Sequence, residues 1–119
     1  MNWLGQRLRS FAHASNGVAI LLRSEPHARL HLLATVAVFA LAATLQVSRS
    51  DWQALVLTVA MVWLAEGLNT ALEHVCDAVV PEHHPLIGAA KDVAAGAVLI
   101  TAGFALVMAG LIFIPYLPR

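Results

Sequence analysis

The chain has 119 residues, 60% of them hydrophobic and 12% charged, with a mean hydropathy of +0.76. A soluble domain carries about a quarter charged residues, so an ordinary water-soluble domain is excluded, and the length allows one domain, 1–119. Seven basic and seven acidic residues cancel to zero formal charge, which excludes the broad basic face of a nucleic-acid binder.

The first element expected is an amphipathic helix over 1–23. Leu4, Leu8, Phe11, Ser15, Val18 and Leu22 recur at three- and four-residue spacing, and Arg7, Arg9, Ser10, His13 and Asn16 fill much of the rest. Arginines on the polar side of such a helix suit a membrane surface; packing against the other helices is the plainer alternative. The segment begins polar and basic, and no secretory leader is expected.

Three apolar stretches follow, each long enough or nearly so to cross the hydrocarbon core. They are Leu30–Val47, a segment from Trp52 that stays apolar to Ala65 and continues as helix through Glu73, and the charge-free Val93–Leu117. The helices containing them are expected over about 28–48, 52–78 and 90–117. Ser48-Arg49-Ser50-Asp51 reads as a tight polar turn, and Pro81, Pro85 and Gly88 interrupt the chain between the second and third spans. Arg7, Arg9, Arg23, Arg29 and Lys91 lie on one side of the spans and only Arg49 and Arg119 on the other. That asymmetry puts the N-terminus and the second loop in the cytoplasm.

The most informative segment is 65–77. At 100° per residue, Glu66, Asn69, Glu73 and Asp77 fall within an arc of about 80° on one helix face. A solvated helix end would explain Asp77 and, less well, Glu73. It does not explain Glu66, which apolar residues surround, and intramembrane acids mark functional sites. Carboxylate and amide oxygens in this pattern suit a hard cation such as magnesium.

Lys91 at the start of the third span either snorkels to the interface or meets a phosphate as a point charge; Asp92 stands beside it. Glu25, between Ser24 and Pro26, either complements a helix start or belongs to the site. Glu82-His83-His84 lacks the spacing of a zinc motif, and neither a P-loop nor a kinase glycine loop is present. The single Cys76 excludes an intramolecular disulfide. Gly96, Gly103 and Gly110, seven residues apart, form a small-residue seam for helix packing. Three spans cannot enclose a cofactor by themselves, so a site of any size needs neighbouring subunits.

Together, Glu66-x-x-Asn69-Thr70-Ala71-Leu72-Glu73-x-x-x-Asp77 and Lys91-Asp92-x-Ala94-Ala95-Gly96-Ala97-Val98-Leu99 resemble the prokaryotic diacylglycerol kinase family, which includes undecaprenol kinases. Phe11-x-x-Ala14-x-x-Gly17, Glu25 and Arg29-Leu30-His31 fit the same pattern, so the resemblance runs from about Phe11 to Leu111. It implies an all-α membrane protein of three spans plus a surface helix, assembled as a homotrimer in a bacterial inner membrane, with sites between subunits. The activity implied is transfer of phosphate from ATP to a membrane lipid. The resemblance further implies Glu66 as general base, with Asn69 supporting it and Lys91 neutralising the transferring phosphoryl group. Glu25 and Glu73 would hold magnesium, while Asp77, Glu82, His84 and Asp92 would serve the nucleotide. Aromatics that the family often carries near His13 and at His27 or Ala28 are missing, which leaves the adenine contact differently built. Arg29-Leu30-His31 looks closer to the undecaprenol branch than to the diacylglycerol branch. Outside the kinases, a small proton-coupled transporter would suit a lone Glu66, but has no use for Glu73, Asp77, Lys91 and Asp92 at one end. A non-enzymatic assembly subunit would use its acids only to pair with arginines.

Overall fold

The computed structural model describes residues 2–119, all of whose regular elements are helical. In chain order these are α1 (Trp3–Ser24), α2 (Pro26–Leu45), α3 (Arg49–Val79), α4 (Pro85–Phe113) and a terminal 3-10 turn, Ile114–Tyr116.

Local chemistry sets each helix end. Asn2 caps α1, its side-chain oxygen accepting the Gly5 N–H at 2.8 Å. Pro26 is the first residue of α2 and drives Glu25 out of the helical region, to φ −117° and ψ 112°, so α1 stops there. Glu25 thus forms the joint between two helices and is half-buried.

The connection between α2 and α3 lies three residues earlier than expected, at 46–48, with α2 ending at Leu45 instead of near residue 48. Gln46 takes the left-handed conformation (φ 51°), and Ser48 caps α3, with its hydroxyl accepting the Asp51 N–H at 3.2 Å. Arg49, Ser50 and Asp51 are therefore the first turn of α3, not a loop: a serine cap followed by an acid in the first turn is a helix start. The second connection is also short. Pro85 opens α4 at the one helical position where a missing N–H costs nothing, so α4 begins before residue 90. At the other end, Pro115 converts the last turn to 3-10 geometry and the α-helix stops at Phe113, short of residue 117.

The α2–α3 turn and the C-terminus share the only sizeable buried cluster among the described residues: Ala42, Val47, Leu55, Ile112 and Phe113, flanked by the Phe39 and Trp52 rings at 5.8 Å. Tyr116 fastens this end, its hydroxyl donating to Asp51 Oδ2 at 2.8 Å and accepting the Ser48 N–H at 3.0 Å. Tyr116→Phe removes both bonds and is expected to lower stability in detergent by about 1–2 kcal/mol, read as an earlier unfolding midpoint with activity retained when folded.

Elsewhere little is buried. Leu99, Phe104, Leu106 and Leu111 on α4 are largely exposed, which water would not tolerate over so much area. Pro26–Leu45, Arg49–Val79 and Pro85–Tyr116 are each long and apolar enough to cross a membrane. A side chain added at Gly96 or Gly103 would meet nothing within 4 Å, so the seam they form is not used within this chain. The apolar residues of α1 are likewise uncovered: none of its residues is buried.

Candidate active site

The unbroken 31-residue α3 realises the expected polar stripe on one helix. Burial falls along it. Glu66 is buried, Asn69 and Glu73 are half-buried, and Asp77 is exposed. Glu66 and Thr70 are the only buried polar or charged residues among those described.

Glu66 has a partner that the sequence reading did not single out. His31 on α2 places Nε2 3.4 Å from Glu66 Oε2, with side chains 19% and 3% exposed. One turn from Glu66, Trp63 meets the His31 ring edge-on at 6.4 Å between centroids. Trp63 Nε1 donates to Thr35 Oγ1 at 3.0 Å, and Thr35 Oγ1 donates to the His31 carbonyl at 2.7 Å. Two residues of α2, one turn apart, therefore lock onto two of α3, also one turn apart. His31 and Thr35 also border an apolar groove of about 280 Å³ that runs on past Val38, Leu55 and Val62.

Two buried polar atoms near Glu66 lack partners. Asn69 Oδ1 and Thr70 Oγ1 are buried without a hydrogen bond, an arrangement rare enough in folded proteins to mark a place where another group belongs. Thr70 lines a cavity of about 440 Å³ between α1 and α3, with Gly17, Val18, Leu21, Gly67 and His74.

Toward the α3–α4 loop, Lys91 Nζ donates to Asp77 Oδ1 at 2.5 Å. The structure thus joins two of the expected site residues directly. His84, expected at the nucleotide, caps α4 through Nδ1, which accepts the Leu86 N–H at 3.1 Å. Glu82 and Asp92 are exposed. Ala28, where an aromatic was a candidate adenine contact, is fully buried, so this position packs helices together and faces no open site.

No group of three or more His, Cys, Asp or Glu side chains converges to hold a metal among the described residues. Glu25 and Glu73 are both half-buried carboxylates. As residue types, these carboxylates suit magnesium, which keeps several waters and takes one or two protein carboxylates together with substrate phosphates.

Comparison with known proteins places these features in a family. Residues 12–113 match the model described as prokaryotic diacylglycerol kinase. The chain is 37% identical over 116 residues to an undecaprenol kinase of Bacillus subtilis, covering 98% of this chain and 94% of that one. It is 39% identical over 109 residues to a diacylglycerol kinase of a Synechocystis species, covering 91% of this chain and 62% of the relative.

Proposed function

The chain belongs to the prokaryotic diacylglycerol kinase family, and we propose on that premise that it phosphorylates undecaprenol with magnesium-ATP. As a kinase of this family it acts on a lipid and takes ATP as co-substrate. The observation that carries the reading of the site is Glu66: a carboxylate 3% exposed, inside a span, at the inner end of a stripe whose other end is solvated.

Phosphoryl transfer asks for positioning and charge neutralisation more than for covalent help. Glu66 accepts the proton of the lipid hydroxyl as its oxygen bonds to the γ-phosphorus; the bond from that phosphorus to the β–γ bridging oxygen breaks and ADP leaves. Asn69 steadies the reacting end. Lys91, aimed by Asp77, sets a positive charge against the phosphoryl oxygens. Glu25 and Glu73 would hold magnesium, which would supply neutralisation of phosphate charge. Asp92, Glu82 and the His84 ring serve the nucleotide side. The order along α3 separates a lipid end at Glu66 from a nucleotide end at Asp77 by about 16 Å.

The whole chain acts as one membrane domain, with α1 at the membrane surface and its arginines toward the headgroups. The N-terminus and the α3–α4 loop face the cytosol, where ATP is. A homotrimer supplies what one chain lacks: the exposed faces of α4 need partners, and the described residues of one chain converge on no metal site of three or more ligands.

Undecaprenol is preferred over diacylglycerol because Arg29-Leu30-His31 resembles the undecaprenol branch. The diacylglycerol reading draws on the relative of that name. The test offers both lipids in detergent micelles with magnesium-ATP. Labelling of undecaprenol at least about tenfold faster, lost when magnesium is chelated, is the expected result. Preferential labelling of diacylglycerol would move the chain to the other branch. No labelling of either lipid by a folded oligomer would sink the activity, and a transporter would take its place.

A further inference from the structure

We propose that His31 is a positioning residue for the reaction: its Nε2 side lies against one oxygen of the Glu66 carboxylate and restrains it, so that the other is presented to the lipid hydroxyl. This rests on the reading of Glu66 as general base.

Nε2 lies 3.4 Å from Oε2, in ion-pair range and a few tenths of an ångström longer than a formed hydrogen bond, and both side chains are largely out of reach of water. A carboxylate inside a span is expensive without a partner, and among the described residues His31 is the one within ion-pair distance. A neutral imidazole carries a single N–H, so placing it at Nε2 occupies one carboxylate oxygen and leaves Oε1 as the acceptor. A base must lie within hydrogen-bond reach of the proton it takes, and a swinging carboxylate meets that condition only part of the time.

The histidine is itself held. The Trp63 ring meets the imidazole edge-on and is itself fixed, since Trp63 Nε1 donates to Thr35 Oγ1, which in turn binds the backbone carbonyl of His31. Such outer contacts fix the orientation of a working histidine. A purely structural role explains less. The Trp63–Thr35 bond already joins α2 to α3, and an apolar pair would join the helices as well as a buried polar pair at no loss of stability.

The experiment compares His31→Leu with His31→Gln, whose amide nitrogen can donate from near the Nε2 position. Rates are measured against both substrates in micelles, alongside unfolding in detergent. His31→Leu is expected to lower kcat about 30-fold, with KM for ATP and for lipid within about twofold, since misplacing a reacting group by an ångström costs up to about a hundredfold. His31→Gln is expected to keep kcat within about threefold of wild type. In a Glu66→Asp background, whose shorter side chain has already withdrawn from Nε2, His31→Leu should cost less than about threefold, because the contact it removes is gone. The proposal is overturned if His31→Leu keeps its kcat, if Leu and Gln lower it equally, or if the 30-fold loss persists beside Glu66→Asp. Should His31→Leu fail to fold, His31→Gln and His31→Asn decide: equal rates overturn it, because the asparagine amide stops short of Nε2. A failed base reading looks different. There, Glu66→Gln alone would keep the wild-type rate, and both ideas would fall.

Discussion

Glu66→Gln is expected to lower phosphoryl transfer about 1,000-fold while leaving the protein folded and able to take up ATP. The substitution keeps the shape of the side chain and removes only its charge and basicity. A general base contributes about 10²–10⁴-fold, and an amide cannot accept the hydroxyl proton. Stability should not fall with the rate. Glu66 is 2% exposed, and a buried charge is a burden that its partner offsets only partly. The amide oxygen of glutamine can keep the place facing His31, and its unpaired amide nitrogen costs less than the buried charge it replaces. The measurement is kcat and the KM for ATP, with unfolding in detergent alongside. A rate that collapses at unchanged KM and unchanged unfolding midpoint identifies Glu66 as the base. A variant that unfolds early would make it a structural acid, and one with wild-type rate would remove it from the chemistry.

Much of this arrangement is legible in the residues. Helical periodicity alone brings Glu66, Asn69, Glu73 and Asp77 to one face, because 3, 4 and 4 residues each return close to a full turn. The three spans follow from composition and length. Helix ends were harder, for a physical reason: Pro85 and Ser48 read as interruptions, yet proline opens a helix as readily as it breaks one and serine caps it.

The pairing of His31 with Glu66 was also readable, by depth. His31 lies 16 residues before Val47 and Glu66 lies 18 after Ser48, or about 24 and 27 Å from the same turn. On helices joined by so short a connection, the two lie near one level, and the rotation of each helix decides that they face each other. Periodicity within a single helix carries no such information, since the comparison runs between helices. What no single chain can give is the surface that covers α4 and α1, because residues that pack against another copy look the same as residues that pack against lipid.

Lys91→Met is expected to lower kcat about 100-fold or more, with little change in folding. Lys91 follows His84 by 7 residues and Asp77 precedes Val80 by 3, so the lysine starts about 6 Å farther from the loop and must bend its ammonium back toward it. That is the snorkelling of a lysine at a membrane boundary, with one difference: the ammonium ends on a carboxylate, Asp77, and not in open water. The pair is half open to solvent, with side chains 36% and 66% exposed, so it adds little to folding. Its value lies in holding a positive charge at the nucleotide end of the stripe. Removing one group that stabilises transition-state charge costs about 10²–10³-fold, and methionine keeps the length and apolar stem of lysine without that charge. Asp77→Asn should cost far less, since the lysine remains and an amide oxygen can still accept from it. Transfer rates for the two variants, at saturating ATP, decide the matter. A large loss in Lys91→Met with a small one in Asp77→Asn makes the lysine the working group and the aspartate its support. Equal and small losses would reduce the pair to a surface contact and leave the phosphoryl charge to be met by other residues.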